Sequence, residues 1–227
     1  MSVVALLAAC NQSQAGVNDR ILFTPTDCGQ VGGCAFDDSV GVHGTISLQI
    51  TGIDGQPTAG VDLASRDLAV AQVSRRADIN NAAAWDLAAI APGVVDVAAI
   101  DSNGIEIDFV QVGVQDVTRL TMVPFVGDVV GPSPETGYDE AFTVNAGVEV
   151  TWFVRPLIAG DVTTMGRFAF ETVLDSGQPA VTDHELANSD RPNGYLSVSL
   201  PAGTYPLRFE LSADPDVGVE AVIHAQP

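Results

Sequence analysis

The chain of 227 residues contains no lysine; its nine cations are all arginine, set against 29 acids. At a formal net charge of -20 it lacks the clustered positive charge that neutralises phosphate, which excludes nucleic-acid binding and a polybasic membrane anchor. Charged residues make up only 17% and aromatics 6%, while apolar types reach 46%, a globular rather than a disordered composition. No catalytic signature is present. The three histidines, His43, His184 and His224, are scattered and form no His-Glu-x-x-His pair. A Gly-x-Ser-x-Gly elbow and a phosphate-cradling glycine loop ending in Lys are both missing.

The N-terminus opens with a short apolar run, Val3 to Ala9, followed by polar Asn11-Gln12-Ser13-Gln14. A helix needs about 20 apolar residues to cross a bilayer, so this run cannot span one. It can be the tail of a secretory signal. Leu7-Ala8-Ala9-Cys10 resembles the lipobox of bacterial lipoproteins: an apolar residue, two small ones, then cysteine. The resemblance implies that Cys10 carries the lipid and becomes the mature N-terminus. Residues 1–9 are then a signal remnant and 10–27 a flexible tether. No positive charge precedes the run, a departure from the signal pattern that a start codon assigned too far downstream would explain. The alternative is an ordinary thiol at Cys10.

Lipidation would also account for an odd cysteine among three. The other two, Cys28 and Cys34, bracket Gly29-Gln30-Val31-Gly32-Gly33, whose glycines give a short disulfide loop its turning freedom. Two free thiols or half a metal site are the competing readings. No second cysteine pair exists to complete a zinc site.

Beyond the tether, apolar residues recur with period two: Ile46, Leu48, Ile50; Ile105, Ile107, Phe109; Val148, Val150, Trp152; Leu196, Val198, Leu200; Tyr205, Leu207, Phe209, Leu211. Such alternation puts one face of a strand on a core and the other in water. Asp54-Gly55, Asn103-Gly104, Ser176-Gly177, Asn193-Gly194 and Ala202-Gly203 punctuate the runs as turns. The alanine-rich stretch 80–90 reads as a turn followed by a strand. The predicted fold class is all-β: two antiparallel β-sandwiches over 28–123 and 136–227, joined by a Pro/Gly linker at 124–135. Net charge divides evenly, -8 over 35–123 and -9 over 136–227.

Ser65-Arg66-Asp67-Leu68-Ala69-Val70-Ala71-Gln72-Val73 resembles a segment of bacterial immunoglobulin-like domains that reads Ser-x-Asp-x-x-Val-Ala-x-Val. In that family a Gly-containing turn then leads into a strand, as Ala91-Pro92-Gly93-Val94 does here. The resemblance covers about residues 36–123 and implies an immunoglobulin-like domain serving as a spacer, adhesin stalk or binding module.

These readings converge on a non-catalytic, lipid-anchored envelope protein, a membrane partner through its lipid and possible envelope-protein or glycan partners. Two alternatives stand beside it: a secreted or periplasmic glycan-acting enzyme using loop carboxylates, and a subunit of a surface assembly docking on a strand edge. No cofactor is required. Calcium is the one metal considered, with Asp183, Glu185, Asp190, Asp214 and Asp216 as candidate ligands in loops, although no Asp-x-Asp-x-Asp-Gly loop is present. Trp152 and Phe153 are expected to face opposite ways, one into a core. Tyr195 and Tyr205 are expected to flank a hairpin near Pro201-Ala202-Gly203. The low pI, near 4.1, would suit a saline habitat.

Overall fold

The computed structural model describes residues 12–27, 34–55, 58–78, 82–126, 129–132, 139–174 and 195–227. The chain divides into two units. The first runs to Asp116 and also takes Thr164–Arg167; the second comprises Val117–Thr163 and Phe168–Pro227. Each is a two-sheet β-sandwich with its own core.

In the first unit, β1 (Gln14–Ala15), β2 (Ile21–Asp27), β4 (Thr45–Gly52), β7 (Ala84–Ala89) and β6 (Ala71–Arg75) form one antiparallel sheet in the order β1-β2-β4-β7-β6. The facing sheet is β3-β9-β8-β5, from β3 (Val40–Gly41), β9 (Glu106–Gln115), β8 (Gly93–Ile100) and β5 (Asp62–Ser65). Here β3 runs parallel to β9. Ile46 and Leu48 are fully buried and pack with Ile21, Phe23, Trp85, Leu87, Val97 and Val112. Each such side chain removed from water contributes about 1.5–3 kcal/mol. The expected strand after the alanine-rich turn is present as β7.

The second unit repeats the plan. One sheet joins β10 (Arg119–Val126), β13 (Glu149–Ile158) and β14 (Val162–Thr163), with β16 (Tyr195–Ser199) also pairing β13. The other has the order β11-β12-β18-β17-β15, from β11 (Val129–Pro132), β12 (Glu140–Asn145), β18 (Asp214–Gln226), β17 (Gly203–Leu211) and β15 (Phe170–Leu174). A parallel pair recurs where β12 meets β18, matching β3 on β9. Val150, Trp152 and Val154 face Tyr205, Leu207 and Phe209 across the core, and Phe153 is half-buried on the opposite side of its strand.

Four expectations need correction. The tether over 10–27 is largely structured: β1 and β2 belong to the first sheet, and Ile21 and Phe23 are at 0% exposure. The units meet at Asp116/Val117, not within 124–135. Pro124 lies inside β10, which among the described residues is an edge strand paired only with β13, a place where a proline is tolerated. Tyr195 and Tyr205 do not share a hairpin, since β16 and β17 lie in different sheets. Tyr205 instead donates its hydroxyl to the Pro201 carbonyl at 2.9 Å, and its ring lies over Gly203, where a Cβ would come within 3.1 Å of the hydroxyl oxygen. This back-bond closes the turn into β17 in the manner of a tyrosine corner.

The fourth correction concerns β9. Its core phase is Val110, Val112 and Val114, and that phase turns Asp108 inward at 0% exposure. Ile105 is exposed, and Phe109 turns to the outer face, where the Arg66 guanidinium lies over its ring at 4.4 Å.

Candidate functional site

The residues singled out in the sequence fall into two groups. Cys10, Cys28, Asp183, His184, Glu185 and Asp190 lie outside the described residues. Cys34 is buried, and its carbonyl accepts a 2.8 Å hydrogen bond from the Gln12 backbone N–H. The first described residue is therefore already bonded to the sandwich. Asp214 opens β18, and its carboxylate accepts the Asp216 N–H at 3.3 Å, a side-chain-closed turn. Arg208 closes the same hairpin by donating to the Pro215 carbonyl at 3.1 Å. Among the described residues no three His, Cys, Asp or Glu side chains gather as metal ligands would. His43 is exposed in a left-handed turn at φ 70°, and His224 is half-buried with Nδ1 3.1 Å from the Thr204 hydroxyl.

The electrostatically distinctive groups lie elsewhere, and each is spent on the fold. Asp108 accepts four backbone N–H groups: Asn18 (2.8 Å) and Phe109 (2.9 Å) at Oδ1, Arg20 (2.8 Å) and Ile21 (2.9 Å) at Oδ2. Burial alone would raise its pKa; the four donors outweigh that and hold it below the usual carboxylate range. Gly16 passes directly over this carboxylate, and a Cβ there would overlap it. Asp108 thus ties the β1–β2 turn to β9.

Asp86 on β7 receives Arg76 at 3.1 Å, Arg167 at 2.9 Å and the Ser47 hydroxyl at 2.8 Å. Burial pushes its pKa up, but the Ser47 and Arg167 hydrogen bonds and the two guanidinium charges bring it down. Asp101 is lowered chiefly by the Ile105 N–H and then by Asn103, which close the Asn103-Gly104 hairpin with Gly104 at φ 79°. Arg66 is raised first by its bond to Glu106, against a small opposing effect of burial, and then by Asp96. Arg208 is raised in the same way, first by Glu210 and then by Glu220.

The Ser65–Val73 segment also resolves into geometry. Ser65 ends β5 and exchanges bonds with Asp67, whose side chain accepts the Ala69 N–H and whose carbonyl accepts Val70 and Ala71. This tight turn delivers Ala71 into β6. Val70 then packs over Gly93, where a Cβ would come within 2.9 Å of a Val70 methyl. The Ser-x-Asp-x-x-Val segment and the later glycine are two halves of one corner.

No family model matches the chain, and no curated protein matches it. Among solved structures it is similar to domains 5–6 of the S-layer protein SbsC, at 14% identity and TM-score 0.31 over 84% of this chain and 94% of that one. It is similar also to the Escherichia coli adhesin FdeC, at 14% identity and TM-score 0.30 over 94% and 64%. The D00–D0 domain of intimin aligns at 13% identity and TM-score 0.30 over 85% and 98%. What this chain does has to be read from its own residues.

Proposed function

We propose that this chain is an exported, lipid-anchored envelope protein whose two sandwiches serve as a structural or ligand-binding module rather than a catalyst. The lipobox-like Leu7-Ala8-Ala9-Cys10 supplies the anchor, and Cys28 bridged to Cys34 pins the entry into the first sandwich. The observation that carries the reading is the hydrogen bond from Gln12 N–H to the Cys34 carbonyl. It starts the folded body two residues after Cys10, so a lipid there would hold the first sandwich at the bilayer surface without a long spacer. A net charge of -20 repels anionic headgroups, leaving the acyl chains to supply the whole of the membrane affinity. The module reading is supported by the carboxylates with displaced pKa values: Asp86, Asp101 and Asp108 are occupied by internal donors, whereas a catalytic acid must face a substrate.

Metabolic labelling with a fatty acid tests the anchor. Label is expected in the wild type and in Cys28→Ser, lost in Cys10→Ser, and the labelled protein stays in the membrane fraction through a high-salt wash. Label persisting in Cys10→Ser, or release of the wild type by salt alone, would overturn it.

A further inference from the structure

We propose that the corner between β3 and β4 is a strand-acceptor groove for Thr164–Arg167, and that filling it makes the first sandwich conditional on a segment from the second half of the sequence. The chain leaves the second unit after Thr163, contributes four residues to the first, and returns at Phe168. Those four residues are held by two isolated bridges to different partners. Met165 bridges Val40 in parallel sense, and Arg167 bridges Thr45 in antiparallel sense.

Backbone bonds anchor both bridge residues. Met165 N–H donates to the Ser39 carbonyl at 2.9 Å, and the Met165 carbonyl accepts from Gly41 at 2.9 Å. Arg167 N–H donates to Thr45 at 2.8 Å and its carbonyl accepts from Thr45 at 3.1 Å. Side chains add the selectivity that strand addition needs. Thr164 donates its hydroxyl to the Ser39 carbonyl at 2.7 Å. Met165 is at 0% exposure inside the first unit's core cluster. Arg167 reaches the Ser47 hydroxyl at 3.0 Å and Asp86 at 2.9 Å. The groove therefore reads an apolar, flexible side chain and, two residues later, a guanidinium. Removing the segment would open a methionine-sized hole in the core and leave the Gly41 and Thr45 N–H groups without partners.

Hydrogen exchange on the full-length protein tests this, comparing wild type with Met165→Ala, Met165→Leu and Arg167→Ala. Met165→Ala is expected to raise exchange by about 30-fold at Gly41 and Thr45 and across β4 and β7, the lower bound for emptying a core methionine site. Exchange in β17 and β18 should change far less. Met165→Leu, close in volume, should behave like the wild type. Arg167→Ala, which leaves the core filled, should loosen Thr45 more than Gly41. Unprotected Gly41 and Thr45 amides in the wild type would overturn the proposal. So would unchanged exchange in β4 and β7 of Met165→Ala, or an equal rise in β17 and β18. If Met165→Ala does not fold at all, Arg167→Ala decides: protection of Thr45 equal to wild type refutes the groove.

Discussion

Replacing Asp108 by Asn keeps shape and volume but removes half of what the carboxylate does. The native group offers two oxygens to four backbone donors, Asn18 and Phe109 on one, Arg20 and Ile21 on the other. An amide keeps one acceptor oxygen and turns an NH2 group toward the second pair of donors. Two N–H groups then lose their partner and face another donor. At about 1–3 kcal/mol for each of the two donors left unsatisfied, the substitution costs roughly 2–6 kcal/mol. That is a large share of the ~5–15 kcal/mol that holds an ordinary domain together. The pH dependence sharpens the test. Because the folded pKa is held below the ordinary value of 3.8, the stabilisation is fully present above that pH and is lost as pH falls through the folded pKa. Urea unfolding followed by the fluorescence of Trp85, buried in the same core, should show the full difference between wild type and Asp108→Asn at pH 7 and at pH 5. Below about pH 4 the two curves should converge as the wild type weakens. A difference under 1 kcal/mol at pH 7, or one that persists undiminished in strong acid, would refute the account of Asp108 as a backbone latch.

Gly93→Ala should destabilise the first sandwich by about 1–3 kcal/mol through overpacking against Val70, and Val70→Ala in the same chain should recover part of that loss; additive effects of the two substitutions would show that the corner is not a packed pair. The net charge of -20 predicts a higher melting temperature in molar salt than in dilute buffer, because screening weakens self-repulsion over both surfaces; a flat response in a thermal scan would remove the link between acidity and a saline setting.

Much of the sandwich was legible because burial follows alternation wherever one phase is uninterrupted. Val150, Trp152 and Tyr205, Leu207, Phe209, Leu211 read correctly for that reason, whereas Val148, at the head of the same phase, is exposed just before β13 begins. The failures share a cause, which is competition between two local signals. In β9 the early phase Ile105, Ile107, Phe109 looked apolar, but the longer phase Val110, Val112, Val114 set the register and carried Asp108 inside. A buried aspartate is invisible to hydropathy, because what satisfies it is backbone from residues about ninety positions away. In β2, Ile21 and Phe23 alternate as core residues should, yet Asp19-Arg20 before them and Thr24-Pro25-Thr26 after them disguised the strand as tether. Among the described residues β1 pairs only Leu22 and Phe23 of β2, so Pro25 has no strand partner on that side to ask for its N–H.

Thr164-Met165-Gly166-Arg167 shows the limit of local reading in another way. Nothing in its four residues marks a strand, and it pairs with residues about 120 positions earlier in the chain. Its specificity resides in the acceptor: an apolar slot for Met165, and at Asp86 a carboxylate already shared with Arg76. A chain with nine arginines and 29 acids has carboxylates to spare, yet it places two of its few guanidinium groups on Asp86. In such a background an exposed arginine finds acid almost anywhere, so attraction alone selects no partner. The Ser47 hydroxyl, fully buried between the two arginines, supplies the geometric selection that charge cannot. Arg167 is held at this point of the first sheet because a hydroxyl, a carboxylate and the Thr45 backbone present acceptors together there, and the same set fixes the register of the strand that carries it.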